Sequence, residues 1–441
     1  MEVYLRLSRE LKPAVLKSPW PNLTELSLNV NQLMGKLPNW LGELKNLRSL
    51  NLFSNRLEGP IPASLWKLQH LESLSLGMNE LNGSLLDSIG QLSQLQQLDV
   101  NYNDLSGSLP DSIGQLSELQ VLDVGSNQLS GSLSEQHFWK LRTIPDSIGH
   151  LTSLEVIDFS RNNLTGSIPS TINNCSGLIV LDLGNNNLSG MIPKSLGRLQ
   201  LLQSLHLNDH KLLGELPSSF QNLSSLELLD LSYNELSATL VELKAMAQEH
   251  NMDMYSLNHN GNSSQYEERL IVITKGQSLE YTRTLSLVVS IDLSDNNLSG
   301  EFPEGITKLS GLVFLNLSMN HIIGQIPGSI SMLCQLSSLD LSSNKLSGTI
   351  PSSMSSLTFL GYLNLSNNNF SCKIPFTGQM TTFTELAFAG NPNLCGTPLV
   401  RKCQDEDLDK RQSALEDKID GGYYVDQWFY LSIGLGLRGP F

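Results

Sequence analysis

The sequence has few charged residues, and those it has are mostly acidic. Charged side chains make up 16% of the 441 residues, whereas about 25% is usual for a soluble domain. There are 28 Lys and Arg against 43 Asp and Glu, for a formal net charge of -15. A nucleic-acid partner requires clustered basic side chains, so this charge balance argues against one.

Cysteine is also scarce. The sequence contains Cys175, Cys334, Cys372, Cys395 and Cys403. An odd number leaves at least one thiol unpaired, and five in a chain of this length do not form a disulfide framework. The fold must therefore be stabilised by a hydrophobic core.

Long apolar runs are missing at both ends. The segment Met1 to Trp20 is interrupted by charges such as Arg6, Arg9 and Lys12, which makes it a poor signal peptide. The apolar stretch Trp428 to Leu437 is about half of the roughly 20 residues that a membrane-spanning helix needs. The sequence predicts neither a secretion signal nor a full membrane anchor.

Sequence motifs of catalysis are absent as well. The chain has no H-E-x-x-H, no G-x-S-x-G, no phosphate-binding loop and no kinase signature. We therefore expect a protein that is not an enzyme and that binds no cofactor and no metal.

What the sequence does contain is an internal repeat. The pattern Leu23-x-x-Leu26-x-Leu28-x-x-Asn31-x-Leu33-x-Gly35 returns with a step of 24 residues. Its Asn position falls at Asn31, Asn55, Asn79, Asn103, Asn127, Asn162, Asn186, His210, Asn234, Asn296, Asn320, Asn344 and Asn368. These thirteen units form three blocks and predict a solenoid.

Each repeat position has a physical role. In Leu-x-Leu, alternate residues of a short strand are buried, and successive strands stack into a parallel sheet on a concave face. The Asn amide has two donors and an acceptor, which can satisfy backbone groups at the turn. Gly permits a positive φ, and the Pro that follows fixes the convex segment.

The 24-residue step is broken twice. Asn127 and Asn162 lie 35 residues apart, and Asn234 and Asn296 lie 62 apart. The first break predicts a compressed junction at 134–145. The second predicts an insertion at 238–285, with a helical stretch at 240–248 and a strand-like run at 269–275.

The form L-x-G-x-I/L-P resembles the plant-type leucine-rich repeat. This resemblance implies a second short strand after the Gly and a twisted superhelix. The fold class is then an α/β solenoid with a parallel sheet on the concave face and a 3-10 or irregular convex side.

The insertion and the coil that follows it resemble the island region and following repeats of plant receptor-like proteins. The matching residues are Tyr266-Glu-Glu-Arg-Leu-Ile-Val-Ile-Thr-Lys-Gly276 and Ile291-Asp-Leu-Ser-Asp-Asn-Asn-Leu-Ser-Gly300. Within that family the sequence is most similar to the subgroup of receptors for a fungal ethylene-inducing xylanase. Gly390-Asn-Pro-Asn-Leu-Cys-Gly396 resembles the family's C-terminal cap, which implies a disulfide between Cys395 and Cys403.

The expected layout follows from repeat and resemblance together. It comprises an atypical N-terminal segment without the family's cap (1–22), repeat blocks (23–133, 146–237 and 286–376), the junction (134–145), the island (238–285), the C-terminal cap (377–403), an acidic juxtamembrane linker (404–427) and the start of an anchor (428–441). The missing leader, N-terminal cap and full anchor suggest a gene product truncated at both ends.

The concave strands should present the ligand-binding residues, because exposed aromatic and Arg side chains are typical binding anchors. The candidates are Arg48, Phe53, Glu72, Tyr102, Glu155, Arg161, Tyr233, Phe314 and Tyr362. An Asp recurs at the strand end, as in Asp99, Asp123 and Asp292. We expect a solvated row there rather than a metal site. His206 lies on the same face, either as a ligand contact or as a solvated side chain.

Other expectations concern the thiols and the sequons. Cys175 and Cys334 fall on convex segments, where buried free thiols are expected, and Cys372 occupies a Gly position as a stray thiol. The N-x-S/T sequons predict glycosylation in a secreted chain. They begin at Asn22, Asn82, Asn163, Asn174, Asn187, Asn222, Asn262, Asn297, Asn316, Asn364 and Asn369.

The resemblance implies a kinase-less receptor ectodomain in plant defence. Such a protein faces the extracellular side of the plasma membrane, binds a protein or peptide ligand and signals through a receptor-like kinase co-receptor, which the last four repeats, 288–375, would contact. Two alternatives remain at this stage. One is a secreted leucine-rich-repeat inhibitor of microbial cell-wall-degrading enzymes, and the other is a non-functional fragment.

Overall fold

The computed structural model describes residues 2–4, 22–130, 144–237, 270–274, 277–281 and 289–403. Most of the predicted junction and island, the linker at 404–427, the anchor segment at 428–441 and the sequon at Asn262 lie outside the described residues. The helical stretch predicted at 240–248 also lies outside them.

The central element is one parallel sheet of fourteen strands in chain order. Its strands are Glu2–Tyr4, Glu25–Ser27, Ser49–Asn51, Ser73–Ser75, Gln97–Asp99, Val121–Asp123, Val156–Asp158, Val180–Asp182, Ser204–His206, Leu228–Asp230, Val289–Asp292, Leu312–Asn316, Ser338–Asp340 and Tyr362–Asn364. Equivalent positions pair in register, as Asp99 with Asp123 and Asp123 with Asp158. The predicted solenoid with a parallel concave sheet is confirmed.

These strands are short because only their middle residue points into the core. In Ser49–Asn51 the central Leu50 is fully buried while its two neighbours are half-buried. The Leu residues after the strand, such as Leu52 and Leu57, are also buried. Each coil therefore adds a layer of leucines to one continuous core, and burial of this kind stabilises each large side chain by roughly 1.5–3 kcal/mol.

A second set of strands runs along one lateral side. They are Met34–Lys36, Arg56–Pro60, Glu80–Gly83, Asp104–Gly107 and Gln128–Leu129; then Thr165–Gly166, Asn187–Met191, Lys211–Gly214 and Glu235–Leu236; then Ser299–Glu301, His321–Gly324, Lys345–Gly348, Asn369–Lys373 and Asn393–Cys395. They form sheets of five, four and five strands. The repeat Gly lies within or at the end of these strands rather than before them, with a positive φ such as 83° at Gly107.

The convex side consists of one-turn 3-10 helices. They are Asn39–Glu43, Leu65–Lys67, Asp87–Gln91, Asp111–Gln115, Asp146–His150, Ser170–Asn174, Lys194–Arg198, Ser218–Asn222, Glu304–Lys308, Gly328–Met332, Ser352–Ser356, Gly378–Thr382 and Glu385–Phe388. A Pro precedes most of them, as Pro193 does with φ at -63°. Its fixed φ pre-sets the entry of the chain into the turn.

The insertion contributes a β-hairpin to the described residues. Leu270–Thr274 pairs antiparallel with Gln277–Tyr281. The first of these strands lies where the sequence predicted a strand-like run, at 269–275.

The cysteines follow the sequence-based expectations with one exception. Cys395 and Cys403 are joined by a disulfide, and Cys175 is a buried free thiol. Burial raises the pKa of the Cys175 thiol to about 11. Cys334 was expected to be buried but is exposed, because it lies in the turn between the buried Leu333 and Leu336.

An asparagine ladder connects the coils. In Asn103, the Oδ1 atom accepts from the backbone N–H of Leu81 at 2.9 Å, and Nδ2 donates to the carbonyls of Leu76, Val100 and Asn101 at 3.0–3.1 Å. The predicted role of this Asn is confirmed. The ladder also extends into the C-terminal cap, where Asn391 accepts from the Phe370 N–H and donates to the Leu365 carbonyl.

Candidate functional site

The concave face carries a row of side chains at the last position of each strand. Because the strands pair in register, Asp99, Asp123, Asp158 and Asp182 are successive neighbours. The row continues through His206, Asp230 and Asp292. Neighbouring strands lie about 4.8 Å apart, so the carboxylates are held close to one another.

The expectation that this row is solvated is wrong at Asp123, whereas the other Asp residues of the row are half-buried. Asp123 is only 5% exposed, and its carboxylate accepts from the Gly125 N–H at 3.1 Å and from Asn101 Nδ2 at 2.7 Å. Burial raises the pKa of Asp123 well above its usual value, and the carboxylates of Asp158 and Asp99 raise it further. The sequence pattern shows the spacing of these residues along the chain but not how far each side chain is buried.

Asp99 lies in the same environment. Burial raises its pKa to about 6, although hydrogen bonds from Ser75 Oγ at 2.8 Å and from the Asn101 N–H at 3.2 Å act in the opposite direction. A carboxyl group that holds a proton near neutral pH can donate as well as accept a hydrogen bond.

A second such group lies in the later coils. Burial and the neighbouring Asp230 raise the pKa of Asp292 to about 7. The Asp292 carboxylate accepts from Ser294 and from Asn316 Nδ2 at 2.9 Å. Across the described residues no group of three His, Cys, Asp or Glu side chains is placed to hold a metal ion. The half-buried members of the row, such as Asp292 and Asn316, place hydrogen-bonding groups along the concave face.

The first coils place two predicted ligand residues together. Arg48 Nη1 and Glu72 Oε1 form an ion pair between adjacent coils, with side chains 59% and 36% exposed. An exposed pair of this kind contributes at most about 1 kcal/mol to folding. Both groups can therefore be redirected to a ligand at little cost. Phe53 is half-buried in the following turn of the coil.

Three predicted residues lie on the turn after the strand rather than on the strand itself. Tyr102, Arg161 and Tyr233 have φ values of 47°, 51° and 54°, and each directly precedes the ladder position. Arg161 is exposed, and Tyr233 is 56% exposed. Together they line one edge of the concave face. The repeat pattern alone did not show whether these residues lie at the edge or at the centre of that face.

The remaining predicted residues differ in accessibility. Glu155 is half-buried. Tyr362 is half-buried, and its hydroxyl donates to Asp340 Oδ2 at 3.0 Å. Phe314 is only 6% exposed, contrary to its expected position on a solvent-facing surface. His206, at 4% exposure, is buried too, so the expectation of a solvated side chain is wrong.

Sequence reasoning missed an apolar stripe on the same face. Val121, Val156 and Val180 pair in register at the first position of their strands and are 6%, 2% and 1% exposed. Ile179 packs against them. The sequence contained a signal for this stripe. The first strand position is Val in these three coils but polar in earlier coils, as at Ser49, Ser73 and Gln97.

The C-terminal coils expose large apolar side chains. Met332 is 57% exposed, Phe359 64% and Leu386 74%. Phe359 lies in the turn that leads into the last concave strand, and Leu386 lies in the 3-10 helix of the cap. Large apolar side chains are also exposed in earlier coils, as at Val30 and Met191, and such positions are candidates for protein contact.

Comparisons with known proteins agree with this architecture. One family model, described as leucine rich repeat, matches residues 152–212. A second model of the same description matches residues 22–44, 46–68, 94–116, 288–309, 311–333, 335–357 and 359–379. No curated protein matches the chain.

Several solved structures are similar. The ectodomain of the Arabidopsis thaliana receptor kinase GASSHO1/SCHENGEN3, in complex with CASPARIAN STRIP INTEGRITY FACTOR 2, is 29% identical with a TM-score of 0.55; the match covers 91% of this chain and 51% of that one. The Arabidopsis HAESA ectodomain, in complex with a peptide hormone ligand, is 27% identical with a TM-score of 0.57. The match covers 90% of this chain and 66% of the HAESA ectodomain.

A bacterial structure is similar as well. A leucine-rich-repeat protein of Leptospira interrogans is 27% identical with a TM-score of 0.62, over 93% of this chain and 87% of that one. The match to the GASSHO1/SCHENGEN3 ectodomain, by contrast, spans only about half of that ectodomain's length. Among the described residues, no helix is long and apolar enough to cross a membrane. Together, the stacked parallel sheet, the asparagine ladder and these matches establish that the chain folds as a leucine-rich-repeat solenoid.

Proposed function

We propose that the chain is the ligand-binding ectodomain of a plant receptor-like protein that has no kinase of its own. It would bind an extracellular peptide or protein on the concave face and signal in defence through a partner receptor kinase. The two similar plant ectodomains are each solved with a bound ligand, one of them a peptide hormone. The proposed site faces the cell exterior.

One observation carries this proposal. The concave face combines a rigid, hydrogen-bonded polar row with accessible Arg and aromatic side chains at its edge, as at Arg161 and Tyr233. An extended polypeptide offers backbone donors and acceptors to such a row, and its side chains can contact the edge. Preorganised polar groups of this kind favour binding because little entropy is lost.

A binding experiment with a matched control tests the proposal. Peptides would be selected from a displayed random library on the purified chain, and the affinity of a synthetic selected peptide measured by calorimetry. We expect Arg161→Ala to weaken binding at least about tenfold. Arg198→Ala, on the exposed end of the convex 3-10 helix Lys194–Arg198, should leave the affinity unchanged.

Other results would contradict the proposal. If selected peptides bind equally well to both variants, the concave edge is not the ligand site. If no peptide is selected and the chain instead inhibits a microbial cell-wall-degrading enzyme in a hydrolysis assay, the secreted-inhibitor alternative is favoured. A chain with neither property would support the non-functional alternative.

The exposed apolar side chains of the C-terminal coils support the proposed kinase partner. Phe359 and Leu201 occupy equivalent turn positions in different coils and are 64% and 56% exposed. An array of plant receptor-kinase ectodomains, probed with the chain in the presence of selected peptide, would identify a partner. Phe359→Asp should abolish its binding and Leu201→Asp should not; equal binding by both variants would place the partner elsewhere.

A further inference from the structure

The N-x-S/T sequons divide into two structural groups. In the first, the asparagine is exposed: Asn22, Asn82, Asn163, Asn174, Asn187, Asn222, Asn297 and Asn369. Four of these directly follow a ladder residue and lie at the first residue of a lateral strand or two residues before it. Asn82 is within a lateral strand, and Asn174 and Asn222 end convex 3-10 helices. None of these residues belongs to the concave row, and Asn187 Nδ2 donates to Asn163 Oδ1 at 2.7 Å between exposed side chains.

The second group consists of Asn316 and Asn364. Each is the last residue of a concave strand, in the position that carries Asp in neighbouring coils. Asn316 Nδ2 donates to Asp292 Oδ2 at 2.9 Å, and Asn364 Nδ2 donates to Asp340 Oδ2 at 3.1 Å. Their Oδ1 atoms accept from Ser318 and Ser366, respectively. Both ends of each amide are therefore engaged within the row.

Asn316 is half-buried, and the residues around it are closely packed. Ser290, Phe314 and Ser338, which pair side by side two residues before the row, are each 6% exposed. On the other side Ser294 and Ser318 are 5% and 8% exposed. Neighbouring strands are only about 4.8 Å apart, and Asn316 pairs with Asp340 of the next coil. A glycan on Nδ2 would replace one of the two amide hydrogens and crowd this hydrogen-bonded row.

We propose that N-linked glycans occupy the lateral and convex faces, whereas Asn316 and Asn364 stay unmodified as hydrogen-bond partners of the half-buried Asp292 and Asp340 carboxylates. The concave face is then free of sugar along its whole described length. This inference rests on the proposed function, because glycosylation requires passage through the secretory pathway. A glycan is attached before folding is complete. A chain modified at Asn316 therefore cannot close its sheet and is depleted from the folded, secreted monomer.

Site-specific occupancy tests this assignment. The full chain would be secreted from plant cells behind an added signal peptide, the folded monomer isolated by gel filtration, and each asparagine labelled by peptide-N-glycosidase in heavy-oxygen water before mass spectrometry. We expect label at most of the exposed sequons and none at Asn316 or Asn364. Substantial label at either concave site in the monomer overturns the assignment.

The outcomes separate this inference from the proposed function. Label on concave and exposed sequons alike contradicts the glycan assignment but leaves the receptor proposal intact. A secreted chain with no label at all contradicts the glycan assignment too, and it removes the support that the sequons give to an extracellular receptor. Loss of peptide binding with the expected label pattern contradicts only the proposed function.

Two variants provide a matched check. Asn297→Gln, at an exposed sequon, should increase gel mobility by the loss of one glycan and leave the melting temperature of the deglycosylated protein unchanged. Asn316→Gln should leave the mobility unchanged but lower that melting temperature, because the longer side chain cannot keep its bond to Asp292. A mobility change in Asn316→Gln would show that the site is glycosylated.

Discussion

At the scale of single residues, His210 is the clearest departure from the repeat. It occupies the ladder position, it is 8% exposed, and neither Nδ1 nor Nε2 has a hydrogen-bond partner. Burial lowers the pKa of its imidazole, while the nearby backbone groups of Asn186 and Leu183 and the carboxylate of Asp209 act in the opposite direction. In the preceding coil, by contrast, Asn186 Nδ2 donates to the Phe159 and Leu183 carbonyls. An imidazole cannot reproduce this amide geometry.

His210→Asn should therefore stabilise the chain. The Asn amide can restore the ladder bonds and removes two buried unsatisfied nitrogens, an effect worth roughly 1–3 kcal/mol. The gain, measured by calorimetric melting, should increase as the pH falls below the usual imidazole range. The pKa of His210 is lower in the folded state than in the unfolded state, so protonation favours unfolding. The wild-type chain therefore loses stability as the pH falls from the usual imidazole range through the lowered pKa, whereas the Asn variant does not.

The exposed His150 provides the control for this substitution. His150→Asn should change the melting temperature little, because it lies on the surface at the end of a convex 3-10 helix and such substitutions usually fall within about 0.5 kcal/mol. A His210→Asn variant that melts at or below the wild-type temperature would show that the imidazole is better accommodated than its lack of partners indicates.

At the scale of structural elements, the ladder position connects two coils through one side chain. Asn320 is 4% exposed, accepts from the Leu298 N–H at 3.0 Å and donates to the Leu293 carbonyl at 2.9 Å in the previous coil. It also donates to the carbonyls of Leu317 and Ser318 in its own turn. One amide thus satisfies backbone groups that would otherwise be buried without partners.

Asn320→Ala should destabilise the array by at least about 2 kcal/mol, because several backbone groups lose their partner inside the core. Chemical unfolding followed by circular dichroism would measure the loss. Asn297→Ala is the matched control: this asparagine is exposed and directly follows the ladder residue Asn296. Similar losses in the two variants would mean that coil stacking does not depend on the ladder.

Much of this element-level structure was predictable from spacing. The 24-residue step located the concave strands and the ladder, because each coil repeats the same buried positions. The extension of the ladder to Asn391 was not predicted, because it follows Asn368 after 23 residues and lies outside the Leu pattern. The burial of Phe314 and Asp123 was missed for another reason: their depth depends on residues from other coils, which periodicity does not describe.

At the scale of the whole molecule, the buried carboxylates make stability depend on pH. The pKa values of Asp99 and Asp292 are raised to about 6 and about 7, first by burial and then by neighbouring carboxylates such as Asp158 and Asp230. In the unfolded chain an Asp titrates near 3.9. The folded state therefore binds more protons than the unfolded state between about pH 4 and pH 7, and stability falls as pH rises through that window.

We expect the melting temperature to be higher at pH 5.5 than at pH 7.5. Each group should contribute on the order of 1–2 kcal/mol after allowance for its partial exposure. Asp292→Asn should reduce the difference between the two pH values, because its amide needs no proton to remain buried. Asp87→Asn, on an exposed convex position, should preserve the difference. If Asp292→Asn and wild type show the same pH dependence, the concave carboxylates remain ionised throughout this range, and the row presents only acceptors to a ligand.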